Sequence, residues 1–228
     1  MKYIIKNNSP IAFEAWKSAE NPISWNALGS FMPLENREEG VAYYSKKELR
    51  EALLEEQNYT CCFCEMTIAN NSSTTIAHLD PREGDTQTER IFDYLNLMVS
   101  CSGGKKDDKP KNKPRKLHCD ASQENRPISI SPLSPQCESE ITFTIVGKIY
   151  GLSTDAKETI SILNLNIDKL NNLRNQAIAG YLFLDEDTTE YISLEECKKL
   201  IIYLKNTPSE QYRTSVIRAI EQLINISQ

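Results

Sequence analysis

The chain has 228 residues, of which 39% are hydrophobic and 25% charged, and its formal net charge is −6. This is room for one large domain or two small ones around a real core, and it excludes a molecule that is basic overall, so any attraction to phosphate has to be local. No apolar run reaches bilayer-spanning length, and the opening MKYIIKNNSPIAFEAW is broken by Asn, Ser and Pro too early for a signal peptide; a cytosolic protein with no membrane partner is expected.

In chain order, residues 1–44 carry Trp16, Trp25 and turn signals at Asn21-Pro22 and Met32-Pro33, which predicts irregular structure or short helices. SKKELREALLEEQN, residues 45–58, predicts a helix. Ser45 and Glu48 form a capping box, and Leu49, Leu53 and Leu54 make an apolar stripe. TTIAHL is β-branched and runs into Pro81, as a strand ending at a turn would; FDYLNLMVSC is a second apolar run. Residues 102–117, SGGKKDDKPKNKPRKL, have no apolar period and read as a loop with seven basic and two acidic side chains. ITFTIV and IYGL around Gly147-Lys148 predict a β-hairpin. Four helical segments follow, with breaks at Asn166, near Asp185 to Thr189, and at Pro208.

Seven cysteines is an odd count, and in a reducing compartment metal binding explains them better than disulfides. Cys61-x-x-Cys64 is one half of a zinc knuckle. Cys101 and Cys119 bracket the basic loop, so looping it out would bring them together as the other half. A four-thiolate zinc site would pin a segment with little core of its own. Cys62 is too close to Cys64 for both to bind one tetrahedral ion. Cys137 and Cys197 read as buried free thiols. His118 is the second choice for the fourth ligand, in place of Cys119.

The order of features is C-x-x-C, then His78-Leu-Asp-Pro81, then Asn96-Leu, then Cys101, then His118-Cys119-Asp120. It resembles the HNH endonuclease motif of the ββα-metal fold. YLNLMVSC, ISPLSPQCESEITFTIVGKI and ETISILNLNIDKLNNLR narrow the resemblance to the HNH proteins of Septu and retron-associated anti-phage systems, the PtuB-like family, over roughly residues 59–175. The resemblance implies that His78 activates a water and that Asn96 holds the loop or the metal. It also implies a single divalent cation, Mg²⁺ or Mn²⁺, a nucleic acid substrate, and a partner ATPase of the ABC/SMC type. Phosphodiester hydrolysis fits these groups. A neutral histidine can take a proton from water near neutral pH, and a hard cation can stabilise the developing charge. Lys105, Lys106, Lys109, Lys111, Lys113, Arg115 and Lys116 offer a hold on phosphates that is independent of sequence, or else a plainly solvated loop.

The chain departs from the family before His78, where a cation-binding acid is the rule and Ala77 stands instead. A methyl group coordinates nothing. Asp120, after Cys119, could supply a hard oxygen. Either the site naturally lacks this ligand, or Ala77 replaces a Glu or Asp; in both cases an impaired nuclease is expected. The alternatives are a non-catalytic module that zinc holds together for docking a partner, and a nucleic-acid reader without cleavage. The expected architecture is α+β. An N-terminal segment, 1–57, has a helix near 45–57. A ββα-metal core with its zinc knuckle occupies 58–133. A hairpin and a mainly helical part follow over 134–228.

Overall fold

The computed structural model describes residues 1–29, 32–33, 36–39, 41–81, 90–107, 114–183 and 191–226. The N-terminal region holds short helices, one of the two forms expected for it. Helix α1 (Ile11–Glu20) follows Pro10 and stops at Asn21, which turns into the left-handed region; Phe13 and Trp16, one turn apart, are buried. Helix α2 (Lys46–Glu56) begins at the predicted capping box, with both reciprocal bonds between Ser45 and Glu48 present. Its leucine stripe packs on strand β2.

Strand β1 (Thr74–His78) pairs antiparallel with β2 (Leu97–Cys101), so that His78 faces Leu97 and Thr74 faces Cys101. β1 therefore delivers His78 at one end of a two-stranded ribbon, and β2 delivers Cys101 at the other. The outer edge of β2 is closed locally. The Gln57 amide brackets Val99, accepting from its N–H at 2.7 Å and donating to its carbonyl at 2.8 Å, and the Cys62 N–H also reaches that carbonyl at 3.1 Å. The helix expected to complete a ββα unit is a single turn, α3 (Asp120–Gln123), because Glu124 takes a left-handed φ of 52° directly after it.

A short helix α4 (Gln136–Ser139) leads into the hairpin β3 (Ile141–Phe143) and β4 (Ile149–Gly151), which is shorter than the sequence suggests. Its turn needs Gly147. The φ there is 76°, and a β-carbon would lie 2.2 Å from the Asn171 carbonyl. Then come α5 (Thr154–Ile162), α6 (Asp168–Leu182), α7 (Leu194–Asn206) and α8 (Arg213–Ile226). The break expected near 185–189 lies outside the described residues. Helix α8 starts at 213, not at 209. Tyr212 turns to φ 55°, and Glu65 receives both the Tyr212 N–H on its carbonyl (3.1 Å) and the Thr214 N–H on its carboxylate (2.9 Å).

Among the described residues two apolar clusters form. The larger runs from Met1 to Leu170 and unites the N-terminal region, the β1–β2 ribbon and the hairpin; the smaller joins the end of α6 to α7 and α8. Arg174 is buried between them and stitches backbone by donating to the Gly147 and Leu165 carbonyls at 2.7 and 2.8 Å. No helix among the described residues is long and apolar enough to cross a membrane.

Candidate metal centre and active site

The Cys61-x-x-Cys64 turn is anchored on both sides. The Cys61 N–H donates to the Met66 carbonyl, the Glu65 N–H donates back to the Cys61 carbonyl, and Glu65 takes φ 64° to close the turn. The Cys101 N–H points at the Cys61 sulfur at 3.3 Å, an amide-to-sulfur bond that suits a thiolate. Cys119 arrives from beyond the basic loop, its N–H on the Leu163 carbonyl at 2.8 Å. The loop can close because Gly103 has φ 60°; a β-carbon there would sit 2.2 Å from the His118 carbonyl and 2.6 Å from the Ala121 β-carbon.

Cys61, Cys64, Cys101 and Cys119 are all buried, and their sulfurs lie within 4.8 Å of one another. The Cys61–Cys119 and Cys64–Cys101 sulfurs are 4.0 and 3.9 Å apart. A tetrahedron of Zn–S bonds near 2.3 Å has S–S edges of about 3.8 Å, so the four fit a metal such as zinc, while a disulfide would need contact near 2.05 Å. Burial pushes Cys119 well up, whereas a hydrogen bond from Cys119 holds Cys101 down at about 7. Four adjacent sulfurs cannot all ionise in a buried site without a cation, and a divalent metal removes that obstacle. His118 does not displace Cys119. Its Nδ1 stands beside the cluster, 3.2 Å from the Cys119 sulfur and 3.9 Å from that of Cys101. Cys62, Cys137 and Cys197 are buried and stand outside the four.

His78 closes β1 and is 7% exposed. Its Nε2 lies 3.1 Å from the Ile91 carbonyl. A carbonyl oxygen only accepts, so Nε2 is the protonated, donating nitrogen of that bond. Trp25 packs edge-on against the imidazole, centroids 4.7 Å apart, and continues into Phe92 and Trp16. Asn96 is almost wholly buried and grips the chain after β1. Its Oδ1 accepts from the Asp80 N–H at 2.7 Å, and its Nδ2 donates to the Asp80 and Arg90 carbonyls at 3.2 and 3.1 Å. Both polar atoms of Asn96 are thereby occupied by backbone, so of the two roles expected for it, holding the loop is the one this geometry serves.

Ala77 is fully buried opposite Met98, and the pleat turns it to the face opposite His78. Asp120 opens α3 and is partly exposed. From the same turn, the Gln123 amide donates to the Leu79 carbonyl at 3.0 Å, tying α3 to the residue after His78.

Of the seven basic loop residues, Lys109, Lys111 and Lys113 lie outside the described residues. Lys116 pairs with Asp168 at 2.8 Å, Lys106 donates to Ser72, and Arg115 donates to the Asp107 carbonyl. Lys105 lines an open surface pocket with Pro114, Arg115 and Leu117. Part of the loop's charge is thus spent within the fold.

Sequence reading missed Trp25 and Glu65. Trp25 stands 53 positions from His78 (78 − 25), and no local period links them. Glu65 looks like any surface acid, yet it is buried and meets the Met1 ammonium at 3.1 Å.

No family model matches the chain. Over 188 aligned residues it is 24% identical to the "Retron Ec83 putative HNH endonuclease" of Escherichia coli, a similarity that covers 67% of this chain and 72% of that protein. The likeness supports an HNH endonuclease relationship at a coarse level.

Proposed function

We propose that this protein is an HNH-type, metal-dependent endonuclease that cleaves nucleic acid in an anti-phage defence system, beside an ABC/SMC-type ATPase, and that Ala77 leaves it impaired. The observation that carries the reading is His78. It sits at a strand end with Nε2 donating to the Ile91 carbonyl, in a chain similar to a protein described as a retron "putative HNH endonuclease". In this reading His78 takes the proton of the attacking water, and Asn96 fixes the loop that positions it. The four cysteines hold a structural zinc that fastens β2 to the knuckle and α3. A divalent cation, Mg²⁺ or Mn²⁺, would stabilise charge on the phosphorus oxygens when bound. Asp120 is the residue to help hold it, and Ala77 offers it no oxygen.

A second reading has its own observation. Trp25 covers His78, and Ala77 lies in the apolar core, which suits a non-catalytic module held by zinc for docking a partner or nucleic acid. Cleavage of plasmid DNA and of total tRNA with Mg²⁺ or Mn²⁺, in the presence of the ATPase encoded alongside, separates the two. The chain is compared with Ala77→Glu, Ala77→Asp, and each of these combined with His78→Ala. Cleavage by either acidic variant that His78→Ala abolishes supports the nuclease. Silence from every form, with the proteins folded, favours the docking module.

A further inference from the structure

His118 is 1% exposed, and its imidazole lies against the four-cysteine cluster without belonging to it. Nδ1 is 3.2 Å from the Cys119 sulfur and 3.9 Å from that of Cys101. These two cysteines bracket the basic loop, so one ring nitrogen touches both of its ends. Backbone bonds hold the ring in this place. The His118 N–H donates to the Gly103 carbonyl at 3.1 Å, the Asn164 amide donates to the Leu117 carbonyl at 2.7 Å, and the Cys119 N–H donates to the Leu163 carbonyl at 2.8 Å. The turn at Gly104 lies close to the ring as well: φ there is 83°, and a β-carbon would meet the His118 Cδ2 at 3.7 Å. Cys119 itself takes φ 55°, which is uncommon for a residue with a side chain. Successive side chains of an extended chain point to opposite sides, and this turn breaks the alternation so that the ring and the next sulfur meet.

Four thiolates around a divalent metal carry a net charge of about −2, and a buried anion of that size needs donors around it. Cys61 already has the Cys101 N–H at 3.3 Å and the Ser100 hydroxyl at 3.6 Å. His118 stands where a donor would serve Cys119 and Cys101. A metal-bound thiolate has no proton and only accepts, so a nitrogen 3.2 Å from it has to bring the hydrogen.

We propose that His118 is an outer-sphere donor to the four-cysteine centre: with metal bound, its Nδ1–H donates to the Cys119 sulfur, with the Cys101 sulfur as a more distant second acceptor, and closes the neck of the basic loop. The proposal rests on the four cysteines being a metal site. It makes His118 a positioning residue for the thiolates and not a ligand.

The test uses the full chain and the metal itself. The chain has only two histidines, so the ring nitrogens of a ¹⁵N-labelled sample can be assigned. In the zinc-loaded chain a proton is expected on Nδ1 of His118. With ¹¹³Cd in place of zinc, no direct nitrogen–cadmium coupling is expected at that atom. Zinc affinity is measured by competition with a chromophoric chelator, and Co²⁺ replaces zinc so that the thiolate charge-transfer bands can be read. The variants are His118→Phe, which has no N–H, and His118→Asn, whose amide N–H can take the place of Nδ1–H. Loss of an outer-sphere partner weakens metal binding by about tenfold or more, so His118→Phe should raise the zinc Kd by at least about 10-fold and shift the Co²⁺ bands, and His118→Asn should recover most of both. A bare or directly coupled Nδ1 in the metal-loaded parent overturns the proposal alone. So does a His118→Phe chain that binds zinc as the parent does, or a His118→Asn chain that loses as much as His118→Phe. The ring spectra need no variant, so they decide even where His118→Phe fails to fold. A parent chain that takes up no zinc overturns the metal site and the proposal together.

Discussion

Asn96→Ala tests the clamp behind His78. The substitution removes three hydrogen bonds from a side chain that is 1% exposed: one from the Asp80 N–H and two to the Asp80 and Arg90 carbonyls. At about 1 kcal/mol net for each bond, the loss sums to about 3 kcal/mol. Asp80 is only partly buried and Arg90 is exposed, so water recovers some of this and about 2–3 kcal/mol is expected. For a chain of this size that corresponds to a fall in Tm of roughly 5–10 °C. Guanidinium unfolding gives the free energy, and scanning calorimetry gives the Tm. The loop effect has its own readout in the ¹⁵N shifts of the His78 ring. Ile91 follows Arg90 directly, so releasing Arg90 loosens the Ile91 carbonyl from Nε2 and lets the two neutral tautomers mix. A loss under about 0.5 kcal/mol, with the His78 tautomer unchanged, would refute the reasoning, because Asn96 would then be a bystander.

Elemental analysis should find one zinc per chain, and Cys101→Ser should abolish its uptake and lower the thermal midpoint, because that change removes one of four buried sulfurs. Glu65→Gln removes a buried charge that pairs with the Met1 ammonium and caps α8, at a cost of about 3–5 kcal/mol near neutral pH. Burial pushes the Glu65 carboxyl up, but the ammonium and the Thr214 bonds outweigh it and hold it below the usual glutamate value. A depressed carboxyl stabilises above its unfolded value, about 4.3, and the contribution is lost as pH falls through the lower folded value. Urea unfolding of both chains from pH 7 downward should therefore show the Glu65→Gln deficit in full above about pH 5 and shrinking below about pH 4. Trp25→Ala removes the ring packed on His78, so carbethoxylation of His78 should quicken while stability falls by about 2–3 kcal/mol; an unchanged rate would mean that the ring does not control access.

Much of the fold could be read locally. The Ser45–Glu48 capping box, the leucine stripe of α2, the β-branched run ending in His78 and the helical periods after 153 each reflect neighbours in sequence, and each element lies close to its predicted span. The boundaries that differed were set from a distance. α8 starts late because Glu65, from the knuckle, caps it. α3 is one turn because Glu124 turns left-handed.

The sequence by itself narrowed the candidate metal ligands to Cys61, Cys64, Cys101 and either Cys119 or His118, from the two-residue spacing of the first pair and the way Cys101 and Cys119 bracket the basic loop; folding brought Cys119 into the cluster. It also determined which residues could be a base and its support, His78 and Asn96. Only the tertiary structure decided their state. It supplied the Ile91 carbonyl that selects the His78 tautomer, the two backbone segments that occupy Asn96, the Trp25 ring over the imidazole, and the buried face on which Ala77 sits. The reason is that candidate ligands are set by residue type and local spacing, whereas protonation, access and orientation depend on groups that folding brings from far along the chain.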